Sequence, residues 1–251
     1  MYGLSIASEE EQAEPPTVTA VVRGQGELIP LLKAAGCDMD GRIEDGRTGL
    51  HVAAMLGRAG SVRELIEAGA EVGARDGEGR TCIHWAGKYG HVEVLKRLRE
   101  MCGVEKLRDY VREKTNDGWT CTHLASVGGQ VETLRYLAET CGKVLLSEKT
   151  NDGCTYDGWT CAHLACQRGQ VEVLRYLAET CGKELLREKT NDGRTCAHVA
   201  SLGGQVEVLR YLAETCGEEL LREKDNFGKT CADEASEHEP VVEYLQGMGI
   251  E

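Results

Sequence analysis

The amino-acid sequence predicts an all-α repeat solenoid: paired antiparallel helices joined by hairpin-like loops and stacked in thin layers. Two observations lead there. A short phrase recurs six times, as TGLHVA at Thr48, TCIHWA at Thr81, TCTHLA at Thr120, TCAHLA at Thr160, TCAHVA at Thr195 and TCADEA at Thr230, with starts 33, 39, 40, 35 and 35 residues apart. A period of that size marks one supersecondary unit repeated along the chain. The composition agrees: 41% of the 251 residues are hydrophobic, but only 5% are aromatic and one is Phe. Small aliphatic side chains placed often suit thin layers better than one thick globule.

Residues 1–16, MYGLSIASEEEQAEPP, are expected to form a disordered acidic tail, and residues 17–251 the repeat domain. Each unit begins with a turn built on Asp-Gly. The Thr that follows is a good helix N-cap, and the His three residues on can bond back toward it as in a capping box. A helix of about eight residues ends near glycines such as Gly203 and Gly204. A second helix then places Val206, Leu209 and Leu212 on one face and closes at Gly217. Neither helix can bury its apolar face alone, so neighbouring units complete the core. Upstream, AVVRGQGELIPLLKAAGCDMD reads as a degenerate first unit, giving about seven units with the outer two as caps.

The connections vary. ETCGKELLREKTNDG is two residues longer than a 33-residue period allows, MCGVEKLRDYVREKTNDG is longer by four more, and CTYDG adds five before Trp159. In NDGCTYDGWT the regular turn is assigned to Asn151–Gly153 and the insertion to residues 154–158.

The phrase Asp-Gly-x-Thr-x-x-His-x-Ala, the Gly nine residues after each of the first five Thr residues and the period near 33 resemble ankyrin repeats, over roughly residues 17–251. The resemblance implies that insertions project as hairpin loops and that His51, His84, His123, His163 and His198 bond Thr and neighbouring loops. It also implies that proteins bind at the hairpin tips and the inner face of the first helices. Departures are visible. The family's Pro after Thr is Gly49, Cys82, Cys121, Cys161, Cys196 or Cys231, which gives up a residue pre-set for the first helical position. The last unit has Asp233 for His and Pro240 at the start of its second helix, as suits an exposed cap.

Twelve cysteines and seven histidines raise the question of catalysis or metal binding. Cys82/Cys102, Cys121/Cys141, Cys161/Cys181 and Cys196/Cys216 link the start of each first helix to the end of the second, which in an antiparallel pair lie at the same end of the repeat, so each unit is expected to carry two neighbouring thiols. Buried small hydrophobes, intra-unit disulfides, metal ligands and a catalytic thiol are the competing readings. There is no Cys-x-x-Cys, and the spacing matches no common zinc module. Five histidines at one position read as architecture; His91 and His238 fall outside that ladder and are expected to be solvated. Gly228-Lys229-Thr230 lacks the upstream Gly of a phosphate loop. No catalytic, cofactor or metal residue is assigned.

The net charge of -13 and the absence of Lys/Arg clusters argue against nucleic acid and anionic membranes. No 18-residue apolar run and no signal-peptide pattern occur, so a cytoplasmic location, with the nucleus compatible, is expected. The expected function is a non-catalytic adaptor, inhibitor or targeting subunit, monomeric, binding a protein partner. The position before each cap Thr holds Arg47, Arg80, Trp119, Trp159, Arg194 and Lys229, and Trp and Arg are enriched at binding hot spots. Partner contact is assigned to Arg80, Trp119, Tyr156, Trp159, Arg194 and Phe227, with Tyr156 and Trp159 at the tip of the insertion. Local packing of the two tryptophans is the competing reading, and Trp85 and Tyr89 are expected to be structural. The alternative function is a redox- or metal-responsive protein using the paired thiols.

Overall fold

The computed structural model describes residues 14–151, 157–235 and 237–250. Most of the predicted tail and Tyr156 therefore lie outside the described residues. Among these residues the regular structure is helical, with a single isolated bridge between Arg42 and Thr48. The helices in order are α1 (Pro16–Val22), α2 (Ile29–Ala34), α3 (Gly49–Met55), α4 (Ala59–Glu67), α5 (Cys82–Tyr89), α6 (Val92–Cys102), α7 (Val104–Arg112), α8 (Cys121–Val127), α9 (Val131–Cys141), α10 (Cys161–Gln167), α11 (Val171–Cys181), α12 (Cys196–Leu202), α13 (Val206–Cys216), α14 (Glu219–Arg222) and α15 (Glu239–Gly247). Short 3-10 segments cover Gly26–Leu28, Lys143–Ser147, Lys183–Arg187 and Asp233–Ala235.

They stack as seven units. First helices form one row, α1, α3, α5, α8, α10 and α12, finished by Asp233–Ala235; second helices form another, α2, α4, α6, α9, α11, α13 and α15. Local chemistry sets each first helix. Thr48, Thr81, Thr120, Thr160 and Thr195 are N-caps in complete capping boxes, with the His as the reciprocal partner. Asp233 takes over in the last unit, accepting from the Thr230 N–H at 2.7 Å and its hydroxyl at 3.0 Å. Three of the residues that replace Pro have a new use: the thiols of Cys82, Cys121 and Cys231 donate to the carbonyls of Val72, Ile83 and Leu221.

The longer connections do not simply project as hairpin loops, as the resemblance implies. Residues after the second helix fold back as α7, Lys143–Ser147, Lys183–Arg187 and α14, and bury Leu107 and Val111, Leu145 and Leu146, Leu185 and Leu186, and Leu220 and Leu221. Two apolar side chains per segment cannot be left in water when a neighbouring unit can cover them, at about 1.5–3 kcal/mol each. The segments also reach the next unit: Arg108, Arg187 and Arg222 donate to carbonyls of Thr140, Cys216 and Gly249, at or beyond the C-terminal ends of α9, α13 and α15.

The inserted turn is also reassigned. Thr150 N–H donates to Trp159 O at 2.8 Å and Gly158 N–H to Thr150 O at 3.0 Å, repeating the Thr115–Trp119 and Gly118–Thr115 bonds of the preceding unit. Asp157-Gly158 is thus the unit's turn, and the five extra residues are 152–156, outside the described residues.

Candidate functional site

Side-chain ladders join each unit to the next and decide which residues remain available. In the histidine ladder the Thr N–H donates to Nδ1 at 3.0–3.2 Å. The ring proton therefore sits on Nε2, which donates at 2.9–3.0 Å to Arg80, Glu113, Glu148 and Lys229 carbonyls from His51, His84, His123 and His198. His163 makes no such bond of ordinary geometry among the described residues. Burial lowers the pKa of His84, His123 and His163 to about 4, which keeps the rings neutral.

His91 and His238 form a second ladder instead of standing in solvent: they bond Met55 O at 2.9 Å and Leu202 O at 3.0 Å across the unit boundary. Each is the N-cap of a second helix, and its ring meets a carbonyl left free at the C-terminal end of the neighbouring first helix. On the outer face Arg135, Arg175 and Arg210 pair with Glu132, Glu172 and Glu207, as expected of helix pairs. They also lie over Tyr176, Tyr211 and Tyr244 of the following unit, at 5.1–5.2 Å. Along the loops, Arg42, Arg75, Lys114 and Lys149 donate to carbonyls of Arg75, Lys114, Lys149 and Lys189.

What remains is the inner face. The first helices are buried except at their C-terminal ends, where Leu56, Tyr89 and Leu202 are exposed. The densest arrangement there surrounds Trp85. The Asp76 carboxylate, fully buried, accepts from Glu78 N–H, Arg80 N–H, Arg80 Nε and Trp85 Nε1, all at 2.9–3.0 Å. Burial alone would raise the Asp76 pKa, but the Arg80 main-chain and guanidinium bonds and Trp85 hold it below the ordinary carboxylate range. The Arg80 guanidinium lies 4.2 Å from the Trp85 ring centre, Arg47 5.4 Å and Lys88 5.5 Å. Tyr89 stacks on the same ring at 5.9 Å, nearly parallel. Trp85 is therefore structural as expected, while Tyr89 carries the stack to the surface at 45% exposure.

The six residues assigned to contact from sequence separate here. Arg80 is ion-paired to Asp76 and Glu78 and mostly covered. Arg194 reaches Asp192 and Glu234 and keeps part of its surface. Trp119 is half-buried against the core. Phe227 stands 74% exposed at the last hairpin. Trp159 is corrected: at 1% exposure it belongs to the core with Leu146, Leu185 and Leu186, so local packing is its role. The turn's sequence does not reveal this burial. Tyr156 lies outside the described residues.

The described cysteines are free thiols, and burial pushes Cys161 and Cys231 up to about 11 and Cys82 and Cys121 higher still. Such thiols are poor nucleophiles and poor metal ligands. No group of three His, Cys, Asp or Glu among the described residues is placed to hold a metal, and no helix among them is long and apolar enough to cross a membrane.

A family model described as "Ankyrin repeats (3 copies)" matches residues 18–110, 104–187 and 138–223. No curated protein matches the chain. Among solved structures, the ankyrin repeat domain of Bcl-3, described as a unique member of the IkappaB protein family, is similar at a TM-score of 0.67. The likeness covers 94% of this chain and 100% of that one at 22% identity, which speaks to the fold.

Proposed function

The chain belongs to the ankyrin-repeat family, and from that premise we propose that it is a non-catalytic adaptor, inhibitor or targeting subunit that holds a protein partner on its inner face and hairpin tips. Ankyrin repeats generally mediate protein–protein interaction. The observation that carries the finer reading is the stack of Arg47, Arg80 and Lys88 around Trp85, with Tyr89 at the surface. Asp76 fixes Arg80 and Trp85 before any partner arrives, and a pre-organised aromatic contact loses little entropy on binding. Trp119, Arg194 and Phe227 extend the proposed contact along the same rim. The chain acts as a monomer in the cytoplasm or nucleus in this reading, and it uses neither nucleic acid nor membrane.

The test is affinity purification with the full chain and with a Tyr89→Ala/Trp119→Ala/Phe227→Ala variant. A protein captured by the first and lost by the second, with matching circular dichroism, supports the reading. Equal capture of the same proteins by both sinks the inner-face assignment.

A further inference from the structure

The C-terminal ends of the first helices carry a second pattern. The last two residues of each, or the last and the one after, are Met55 and Leu56, Lys88 and Tyr89, Val127 and Gly128, Gln167 and Arg168, and Leu202 and Gly203. None is acidic, in a chain with 42 Asp and Glu among 251 residues and a net charge of -13. These ends adjoin one another: a Cβ at Gly128 would collide with the Lys88 carbonyl and one at Gly203 with the Gln167 carbonyl. They form a stripe in which Met55, Leu56, Tyr89, Val127 and Leu202 are interspersed with the cations Lys88 and Arg168 and the neutral Gln167. Lys88 and Arg168 make no ion pair among the described residues, whereas Arg47, Arg80, Arg194 and Lys229 are each paired with a nearby carboxylate.

We propose that this stripe docks an acidic amphipathic helix of the partner, its apolar face on Met55, Tyr89, Val127 and Leu202 and its carboxylates on Lys88 and Arg168. The inference rests on the inner-face reading above. A helix fits because the stripe offers side chains and no strand edge: an extended segment laid here would leave its own N–H and C=O groups against apolar atoms, while a helix satisfies them internally. Spacing follows. Neighbouring helices lie about 8–10 Å apart, so Lys88 and Arg168, two units apart, are separated by roughly 20 Å. At a rise of 1.5 Å and 3.6 residues per turn, the matching carboxylates stand about 14 residues apart, a spacing that keeps both on one side of the helix.

The test uses fluorescence anisotropy with three labelled peptides of about 20 residues, each added to the full chain: a helix with a Leu face bordered by Glu about 14 residues apart, the same helix with Lys for Glu, and a scrambled Leu/Glu peptide. The Leu/Glu helix is expected to bind, the others to bind at least about tenfold more weakly. Lys88→Glu with Arg168→Glu, and separately Val127→Ser with Leu202→Ser, should each weaken the Leu/Glu helix about tenfold, with unchanged circular dichroism showing that the fold is intact. Tighter binding of the Lys helix, no binding of the Glu helix, or indifference to the charge reversal would overturn the proposal. If the Glu helix fails while the Tyr89/Trp119/Phe227 variant still loses its captured protein, the interaction module stands and only the acidic helix falls.

Discussion

Two hairpins, Asp76–Arg80 in the third unit and Thr150–Trp159 in the fifth, close with the same pair of backbone bonds but are locked differently. In the third, Asp76 is the lock, and its four hydrogen bonds draw Arg80 and Trp85 into one cluster at the inner face. In the fifth, a neutral hydroxyl stands at the same place: Thr150 Oγ1 accepts from the Trp159 N–H at 2.9 Å, and the tryptophan turns inward to the core. A charged lock organises a surface and leaves no slack in the turn. The neutral lock holds the same frame around five extra residues.

The comparison breaks at its strongest point if Trp159 is not core. Trp159→Ala should destabilise by about 3–5 kcal/mol in urea unfolding, as buried aromatics do; an unchanged midpoint would return this residue to the surface. Next, Asp76→Ala should cost about 3 kcal/mol because Arg80 and the Trp85 N–H lose a buried partner, whereas Thr150→Ala should cost about 1 kcal/mol. Equal losses would show that the two locks do not differ.

Acid acts on both hairpins alike. His84, His123 and His163 have folded-state values near 4 against 6.5 when unfolded, so the unfolded chain binds more protons in that window. Stability is complete above about pH 6.5 and falls as pH drops toward 4. Melting temperature measured from pH 7.5 to 4.5 should decline, and His123→Gln should flatten the decline in part. The smallest effects belong to the surface: deleting residues 152–156, or Phe227→Ala, should shift stability by no more than about 0.5 kcal/mol. A large loss from the deletion would mean that the insertion supports the neutral lock.

Much of the fold was legible because its instructions are local. A Thr, a His three residues later and an Asp-Gly before them specify a capped helix after a turn, whatever lies elsewhere. What was missed depends on the next unit. Trp159 is buried in a core that spans several units, and the Arg135–Tyr176 kind of contact bridges two units, so neither is written in the turn or helix that carries it. A signal existed even so. Leu-Leu recurs at Leu145, Leu185 and Leu220, and Tyr136, Tyr176 and Tyr211 share one register position. Recurrence at a fixed register, used to read the histidines as architecture, would have placed these too. For the candidate site the sequence pointed to Arg80, Arg194 and Phe227 by residue type, but not to Tyr89, whose importance comes from its stack on Trp85.

The last unit has Asp233–Ala235 where the others have a full first helix, and its second helix is tied back by Arg222 bonds to Gly249 and Met248, by the His238 bond to Leu202 O and by Arg210 over Tyr244. Pulled at its two ends, such a molecule would come apart like a row of tiles lifted from one side. The C-terminal tile goes first, and each later one, about 35 residues long, releases roughly 120 Å of chain. The stack therefore has a direction of mechanical weakness, written into one shortened helix.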